Sequence, residues 1–391
     1  MNPETINFLR QHLDDDPIKL LLQQASYPQV DMKFVAQQIE AHKQALHKWP
    51  TLACCNDYYF PPKINREQSS SEHTALYKQC FIESHYTIAD LTGGMGIDTL
   101  AFSAIATHVD YIEQDAALCQ LMQHNLQALN ISNVDCHNAD SIEWLRHNEQ
   151  HFNCIFIDPA RRNSNGGKVC AFEDCTPNLL QHLDLILDRC DKLIIKASPM
   201  IDLAQASAQL HSVSQIHIVA HKNECKEVLF VCTSATAPIL YHCVNIQPDS
   251  NSLFRFTREE EQEATAQYAT QVAEYLYEPN VALMKGGAYK LIAQRTETLA
   301  LDRNSHLYTH PQLIESFPGR IFKVLRPITL TPKTIKKEIP DGRAHILVRN
   351  YPLSAPLLQH KLKLIESGDL YIIATTLAAK PSAYLCQRIM G

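Results

Sequence analysis

From Tyr86 onward the chain alternates short apolar runs with stretches of helical periodicity: TIADL, IDTLAFSAIA, VDYIE, AALCQLMQHNLQAL, NVDCHN, SIEWLRH and CIFIDP follow in that order. Short runs rich in Ile, Val, Tyr and Phe read as strands, and longer segments with apolar residues three to four apart read as helices. Their alternation predicts a mostly parallel sheet with helices on both faces. After CIFIDP come a Gly/Asn-rich loop, RRNSNGGK, a helix near Asn178 to Asp188, a strand at KLIIKAS and a helix after Pro199. SQIHIVA and EVLFVCT are then joined only by HKNECK, too short for a crossover helix, so they are expected to pair antiparallel.

The flanking regions lack this alternation. The first eighty residues read as helices: FVAQQIEAHKQALHKW places Val35, Ile39, Leu46 and Trp49 on one stripe, interrupted by His42, before the Pro61-Pro62 break. His42 reads as a half-buried structural histidine. In QSSSEHTALYK, Ser69 followed by Glu72 has the spacing of a capping box opening a helix. Beyond Ala235 an acidic helix, TREEEQEATAQYATQVAEYL, is expected, and then AHILVRN, PLLQHKLKLIES and DLYIIATT read as strand, helix and strand of a small α+β region.

With 391 residues and 45% hydrophobic content, the chain can bury one large core and one or two small ones. No apolar run approaches the roughly 18 to 20 residues of a spanning helix, and the acidic start MNPETINFLRQHLDDDP is unlike a signal peptide. A cytoplasmic protein is expected. The 13 cysteines contain no CxxC pair, and Cys170 and Cys175 lack the nearby partners of a zinc site, so they read as reduced thiols with no metal. A net charge of −7 argues against coating nucleic acid by bulk electrostatics. The distribution alters that picture. Between Arg320 and Arg349 eight basic residues face only Glu338 and Asp341, a balance of +6, so the rest carries −13.

Candidate chemistry gathers where the expected strands end. Asp90-Leu91-Thr92-Gly93-Gly94-Met95-Gly96 turns the first strand into the first helix, and such glycines let a backbone approach a polar or anionic ligand. This loop alone fits a dinucleotide site equally well. Glu113 closes the second strand, where a carboxylate can accept both hydroxyls of a ribose. Asp140 can accept from an adenine amino group or cap the helix after it. For Asp98, in the first turn of the glycine-loop helix, the helix dipole is a sufficient reason. Asp158-Pro159-Ala160-Arg161 ends the fourth strand at the carboxyl edge where open α/β sheets bind ligands, and Asp158 reads either as holder of an acceptor amine or hydroxyl or as a loop cap.

The order DLTGGMG, YIEQD, HNAD and CIFIDPARR, closed by an antiparallel pair, resembles class I S-adenosylmethionine-dependent methyltransferases. EQSSSEHTALYK before DLTGGMGID, and YEPNVALMKGGAYK after the domain, are more closely similar to a bacterial group of methyltransferases with a THUMP-like domain. The resemblance implies a Rossmann-like α/β sheet of order 3-2-1-4-5-7-6 and S-adenosylmethionine as cofactor. It implies four parts: a helical region over 1–80, the methyltransferase domain over 81–235, a ferredoxin-like segment over 236–320 and a THUMP-like domain over 321–391. Asp90, Thr92, Gly93, Gly94 and Gly96 would line the methionine end, Glu113 the ribose and Asp140 the adenine, with Asp158, Pro159 and Arg161 at the reaction centre. An RNA substrate is expected, with the Arg320 to Arg349 stretch helping to hold it and Arg343 and Arg349 on one strand face.

One departure stands out. Enzymes that methylate amines often carry Asn or Asp, two prolines and an aromatic at this strand end, whereas here Ala160 and Arg161 take the last two places, leaving Arg161 or Phe172 to stack on a base. Two other classes share parts of the pattern: a nicotinamide-dependent oxidoreductase, against which Thr99 stands at the sixth position of the glycine motif, and a non-catalytic RNA-binding protein.

Overall fold

The computed structural model describes residues 2–161, 172–234, 237–248 and 251–390. It divides into two compact units, one of residues 1–214 and 226–237 and the other of residues 215–225 and 238–391.

The first unit begins with helices α1 (Pro3–Gln11), α2 (Pro17–Leu22), α3 (Met32–Lys48), α4 (Pro50–Ala53), α5 (Lys63–Gln68) and α6 (Glu72–Lys78). Asp31 caps α3 by accepting from the Phe34 N–H at 3.0 Å. The buried stripe starts at Val35 and Ile39 but rotates to Ala41 and Ala45, so Leu46, expected inside, is 55% exposed. Trp49, beyond the last turn, is buried, and its indole N–H donates to Ser70 O at 2.8 Å. His42 is half-buried. The expected Ser69 and Glu72 capping box is replaced by another arrangement. Ser71 caps α6, Ser69 ends α5, and Glu72 reaches sideways to accept from the Thr51 N–H and hydroxyl. Ala41, Ala45 and Trp49 share a core with Met95, Ile97 and Ala101, so these helices pack on the start of the glycine-loop helix.

The sheet follows with β1 (Thr87–Asp90), α7 (Ile97–Ser103), β2 (His108–Glu113), α8 (Ala116–Ala128), β3 (Val134–Asn138), α9 (Ser141–His147), β4 (Phe152–Ile157), α10 (Leu179–Leu187), β5 (Cys190–Ala197), α11 (Leu203–Leu210), β6 (Val213–His221) and β7 (Glu224–Thr233). β1 lies between β2 and β4, β3 flanks β2 and β5 flanks β4, all in parallel. β7 runs antiparallel to β5. The start of β6 lies beside the end of β7: the Thr233 N–H donates to Ser212 O and the Ser214 hydroxyl to Val231 O. The order is therefore 3-2-1-4-5-7-6, as the resemblance implied. Lys222 and Asn223 turn the chain between β6 and β7 with φ of 50° and 61°, the left-handed pair that suits a two-residue hairpin.

In the second unit, β6 from Gln215 onward pairs in parallel with β8 (Leu240–Ile246), which pairs antiparallel with β9 (Ser252–Thr257). The long acidic helix expected after Thr257 is only α12 (Arg258–Glu263). A Thr257/Glu260 capping box and glutamates in the first turn favour its start, but Ala264 turns extended at ψ 144° and the Tyr275–Pro279 run becomes strand β10. YLYEP is rich in aromatic residues, which favour a strand once its face is buried. The remaining elements are α13 (Val281–Gly286), α14 (Tyr289–Arg295), β11 (Tyr308–His310), β12 (Gly319–Pro327), α15 (Pro332–Glu338), β13 (His345–Arg349), α16 (Ala355–Leu362), β14 (Leu370–Leu377) and β15 (Lys380–Met390). The expected strand, helix and strand at the end are β13, α16 and β14, paired in parallel, with β15 antiparallel to β14.

Candidate active site

A cleft of about 1030 Å³ opens in the first unit at the carboxyl ends of β1 to β5, the edge at which open α/β sheets bind ligands. The glycine loop forms its floor. Asp90, 1% exposed, ends β1; its Oδ2 accepts from the Thr99 hydroxyl at 2.6 Å and its Oδ1 from the Thr92 N–H at 3.1 Å. Burial pushes its pKa up to about 7, against those hydrogen bonds. The Thr92 hydroxyl accepts from the Asp158 N–H at 2.6 Å, tying the β1 turn to the β4 turn. A Cβ on Gly93 would lie 2.2 Å from the Tyr111 ring, and one on Gly96, with φ of 79°, 2.5 Å from Met122 Sδ. Those two glycines are required by packing. Gly94, with φ of 54°, is different: a Cβ there would meet only Thr92 O, at 3.7 Å, and lies against the cleft.

Glu113 ends β2 and accepts from the Gly94 N–H at 2.9 Å and the Asp115 N–H at 2.8 Å. Asp140 lines the same cleft, and its Oδ1 caps α9 by accepting from the N–H groups of Ile142 and Glu143. Asp158 and Pro159 line it at the end of β4. Residues 160–161 pair with 175–176 in a two-residue ladder. The expectation that the Arg161 guanidinium stacks on an acceptor, and most of the RRNSNGGK loop with Cys170, lie outside the described residues. Phe172 does not offer a free ring. It is 2% exposed and packs edge-on against Phe230 with centroids 5.8 Å apart.

Several functional candidates were missed in the sequence. Lys196, near the end of β5, holds Asp158 Oδ2 at 2.5 Å and lines the cleft. Burial would strip its proton, but the carboxylates of Asp158, Asp98 and Glu227 outweigh that and raise its pKa. Below it Lys78, fully buried, lies 2.6 Å from Glu227 and 3.0 Å from Asp98. Asp98 thus has a stronger role than a helix dipole would give it: the Ser70 hydroxyl donates to it at 2.7 Å. Burial alone would lift the Asp98 carboxyl, yet Lys78, Lys196 and Ser70 hold it below its ordinary value. Asn65, Gln68, Ser69 and Ser70 also line the cleft, so the N-terminal helices contribute a wall. The available signal was charge within apolar context, at KLIIKAS and KEVLF.

In the second unit much of the Arg320 to Arg349 charge is already matched. Glu278, 1% exposed, accepts from Arg320 Nε at 2.6 Å and from Arg349 Nε at 2.9 Å. Arg326 pairs with Glu338 at 2.5 Å, and Lys323 lies 3.8 Å from Glu274. Arg349 is thereby committed to a buried partner, and Arg343 precedes β13 instead of sharing a strand face with it. Lys333, Lys336 and Lys337 on α15 form no ion pair among the described residues.

A family described as conserved hypothetical protein 95 matches residues 81–181, a ferredoxin-like domain matches 275–318 and a THUMP domain-like family matches 319–388. A crystal structure of a protein provisionally described as a methyltransferase, from Porphyromonas gingivalis W83, is 32% identical, covers 98% of this chain and 97% of that one, and has a TM-score of 0.89. A protein of Mycoplasma mobile described as an uncharacterized RNA methyltransferase is 27% identical over 107 residues, or 27% of this chain and 28% of that protein. The fold, the cleft and these matches define a class I S-adenosylmethionine-dependent methyltransferase. The chain belongs to the family of the Porphyromonas protein, and in this chain the methyltransferase domain is followed by a THUMP-like one.

S-adenosylmethionine is the cofactor, and the residues present fit it: Gly94 leaves open the space a Cβ would fill, with a carboxylate, Glu113, beside it. The oxidoreductase and non-catalytic readings are not favoured. Among the described residues no helix is long and apolar enough to cross a membrane.

Proposed function

We propose that the protein transfers the methyl group of S-adenosylmethionine to RNA, with Asp158 at the reaction centre. The observation that carries this reading is one cleft that gathers Gly94, Glu113, Asp140 and Asp158 from four strand ends. In it Asp90, Thr92, Gly93, Gly94 and Gly96 shape the methionine end, Glu113 receives the ribose hydroxyls and Asp140 keeps one carboxylate oxygen for the adenine edge while the other caps α9. Bound S-adenosylmethionine supplies a methyl group already activated on a sulfonium. The protein has to align a nucleophile and exclude water, work carried mainly by proximity and orientation. Asp158 orients the acceptor, Pro159 stiffens the turn beneath it, and Arg161 belongs to the same reaction centre.

RNA as substrate is supported by the description of the Mycoplasma relative and by the THUMP-like region. Lys333, Lys336 and Lys337 are the residues we assign to phosphate contacts, in place of Arg320 and Arg349. The test is mass spectrometry of nucleosides from total RNA of a deletion strain and its parent. One methylated nucleoside is expected to be missing and to return on complementation; identical profiles, with a methylated protein lost instead, would overturn the RNA reading.

A further inference from the structure

We propose that the acceptor atom is a hydroxyl oxygen, the ribose 2′-hydroxyl of an RNA, with Lys196 a catalytic residue beside Asp158 and with Lys78 and Glu227 positioning both. The inference rests on the RNA reading above and specifies the nucleophile of that same site.

Four charged side chains arrive at one edge of the sheet from separate elements. Lys78 ends α6 just before β1, Asp158 follows β4, Lys196 lies near the end of β5 and Glu227 near the start of β7. Because β7 is antiparallel to β5, its beginning falls at the carboxyl edge where the parallel strands end. Lys196 Nζ lies 2.5 Å from Asp158 Oδ2, and Lys78 Nζ lies 2.6 Å from Glu227. Lys196 and Asp158 line the cleft, whereas Lys78 and Glu227 are buried beneath it, at 0% and 3% side-chain exposure. A packed core does not need this arrangement, since burying charges costs more than apolar residues of the same volume.

The charge of Lys196 selects among nucleophiles. An amine gains positive charge as it attacks a methyl group, so an ammonium beside it opposes the reaction. A hydroxyl loses a proton and gains negative charge on oxygen, which an ammonium stabilises where it is preorganised and shielded from water. The carboxylates of Asp158, Asp98 and Glu227 keep Lys196 in the charged form. Amine acceptors on bases also call for a ring to stack on, and among the described residues of this strand end Ala160 has none and Phe172 is packed against Phe230. Along an RNA chain, the hydroxyl present at every internal residue is the ribose 2′-OH.

The step balances as follows. The 2′-oxygen forms a bond to the methyl carbon while the carbon–sulfur bond breaks, its electron pair staying on sulfur and turning the sulfonium into a thioether. The hydroxyl proton passes to the Asp158 oxygen that Lys196 does not hold, and from there to solvent. Lys196 donates to the oxygen as its negative charge grows and remains protonated throughout. Glu227, itself anchored by Lys78, adds negative charge that favours the protonated form of Lys196.

The test uses the full-length protein, S-adenosylmethionine with a deuterated methyl group, and total RNA from a strain lacking the gene. A 2′-O-methyl group blocks alkaline cleavage of the adjoining phosphodiester, so label is expected in alkali-resistant dinucleotides and, after enzymatic digestion, in a ribose-methylated nucleoside. Label on a base would overturn the hydroxyl inference and leave the RNA reading intact. No label in RNA, from protein shown to bind the cofactor, would overturn the RNA reading itself. Lys196→Met should lower kcat about 10²- to 10³-fold with cofactor affinity little changed, measured on protein shown to be folded. Lys196→Arg should recover part of the loss, and Glu227→Gln should lower kcat without raising KM and shift the pH profile. A Lys196→Met enzyme that is folded and as fast as the parent, or faster, would contradict the proposal, because that is the behaviour an amine acceptor requires.

Discussion

Each unit of the molecule buries a cluster of opposite charges, and the two clusters differ in what they face. In the second unit Arg320 and Arg349 close on Glu278 from two strands. In the first unit Lys78 pairs with Glu227 and Asp98 while Lys196 pairs with Asp158, and Asp98, Lys196 and Asp158 line a cleft. A cluster that closes on itself ties strands together. One that ends at a cavity keeps charged groups ready for a ligand, and its energetic cost is then explained by chemistry.

The comparison can be broken by removing one member at a time. Lys78→Met should be the most damaging, because it leaves Glu227 and Asp98 buried without their nearest cation, a loss of about 3–5 kcal/mol. Chemical denaturation would measure it, and a change below about 1 kcal/mol would mean that water reaches the network. Asp158→Ala should leave cofactor affinity nearly intact yet lower turnover at least about 10²-fold. Equal loss of cofactor binding would make Asp158 a loop cap. Glu278→Gln should cost about 1–3 kcal/mol, less than Lys78→Met, because Arg320 and Arg349 are 25% and 35% exposed and can recover water. It should not alter cofactor affinity. The smallest structural effect belongs to Lys333, Lys336 and Lys337 changed together to Gln. Stability should hold within about 0.5 kcal/mol, while the slope of log RNA affinity against log salt falls by about 2 to 3. An unchanged slope would make that helix face merely solvated.

The clusters also mark what the sequence could reveal. Alternating apolar runs located the sheet because the inner parallel strands β1, β2 and β4 are largely buried on both faces, and the closing hairpin was legible because HKNECK leaves no room for a helix. The residues of the glycine loop were legible in one segment, since Asp90 to Gly96 and Glu113 meet across neighbouring strands. The Lys78, Lys196 and Glu227 partnership was not: three elements far apart in the chain meet at one edge, and a lysine at the end of an amphipathic helix reads as a solvated side chain. The same limit misplaced Arg349, whose partner Glu278 lies 71 residues earlier in the chain. The overlong acidic helix failed for another reason. Its Ala, Gln and Glu residues carry helix propensity, but Ala264, Ala269 and Leu276 are buried outside any helix, so tertiary burial overrides that propensity.

The central claim is that the cleft over Gly94 and Glu113 holds S-adenosylmethionine, and titration calorimetry of the purified full-length protein tests it most directly. The account predicts binding of S-adenosylmethionine or its demethylated product by the parent protein, weaker binding by Glu113→Ala and none by a folded Gly94→Val variant, whose side chain would fill the open space beside the loop. Unchanged affinity in Gly94→Val, or binding of a nicotinamide nucleotide with none of S-adenosylmethionine, would contradict it.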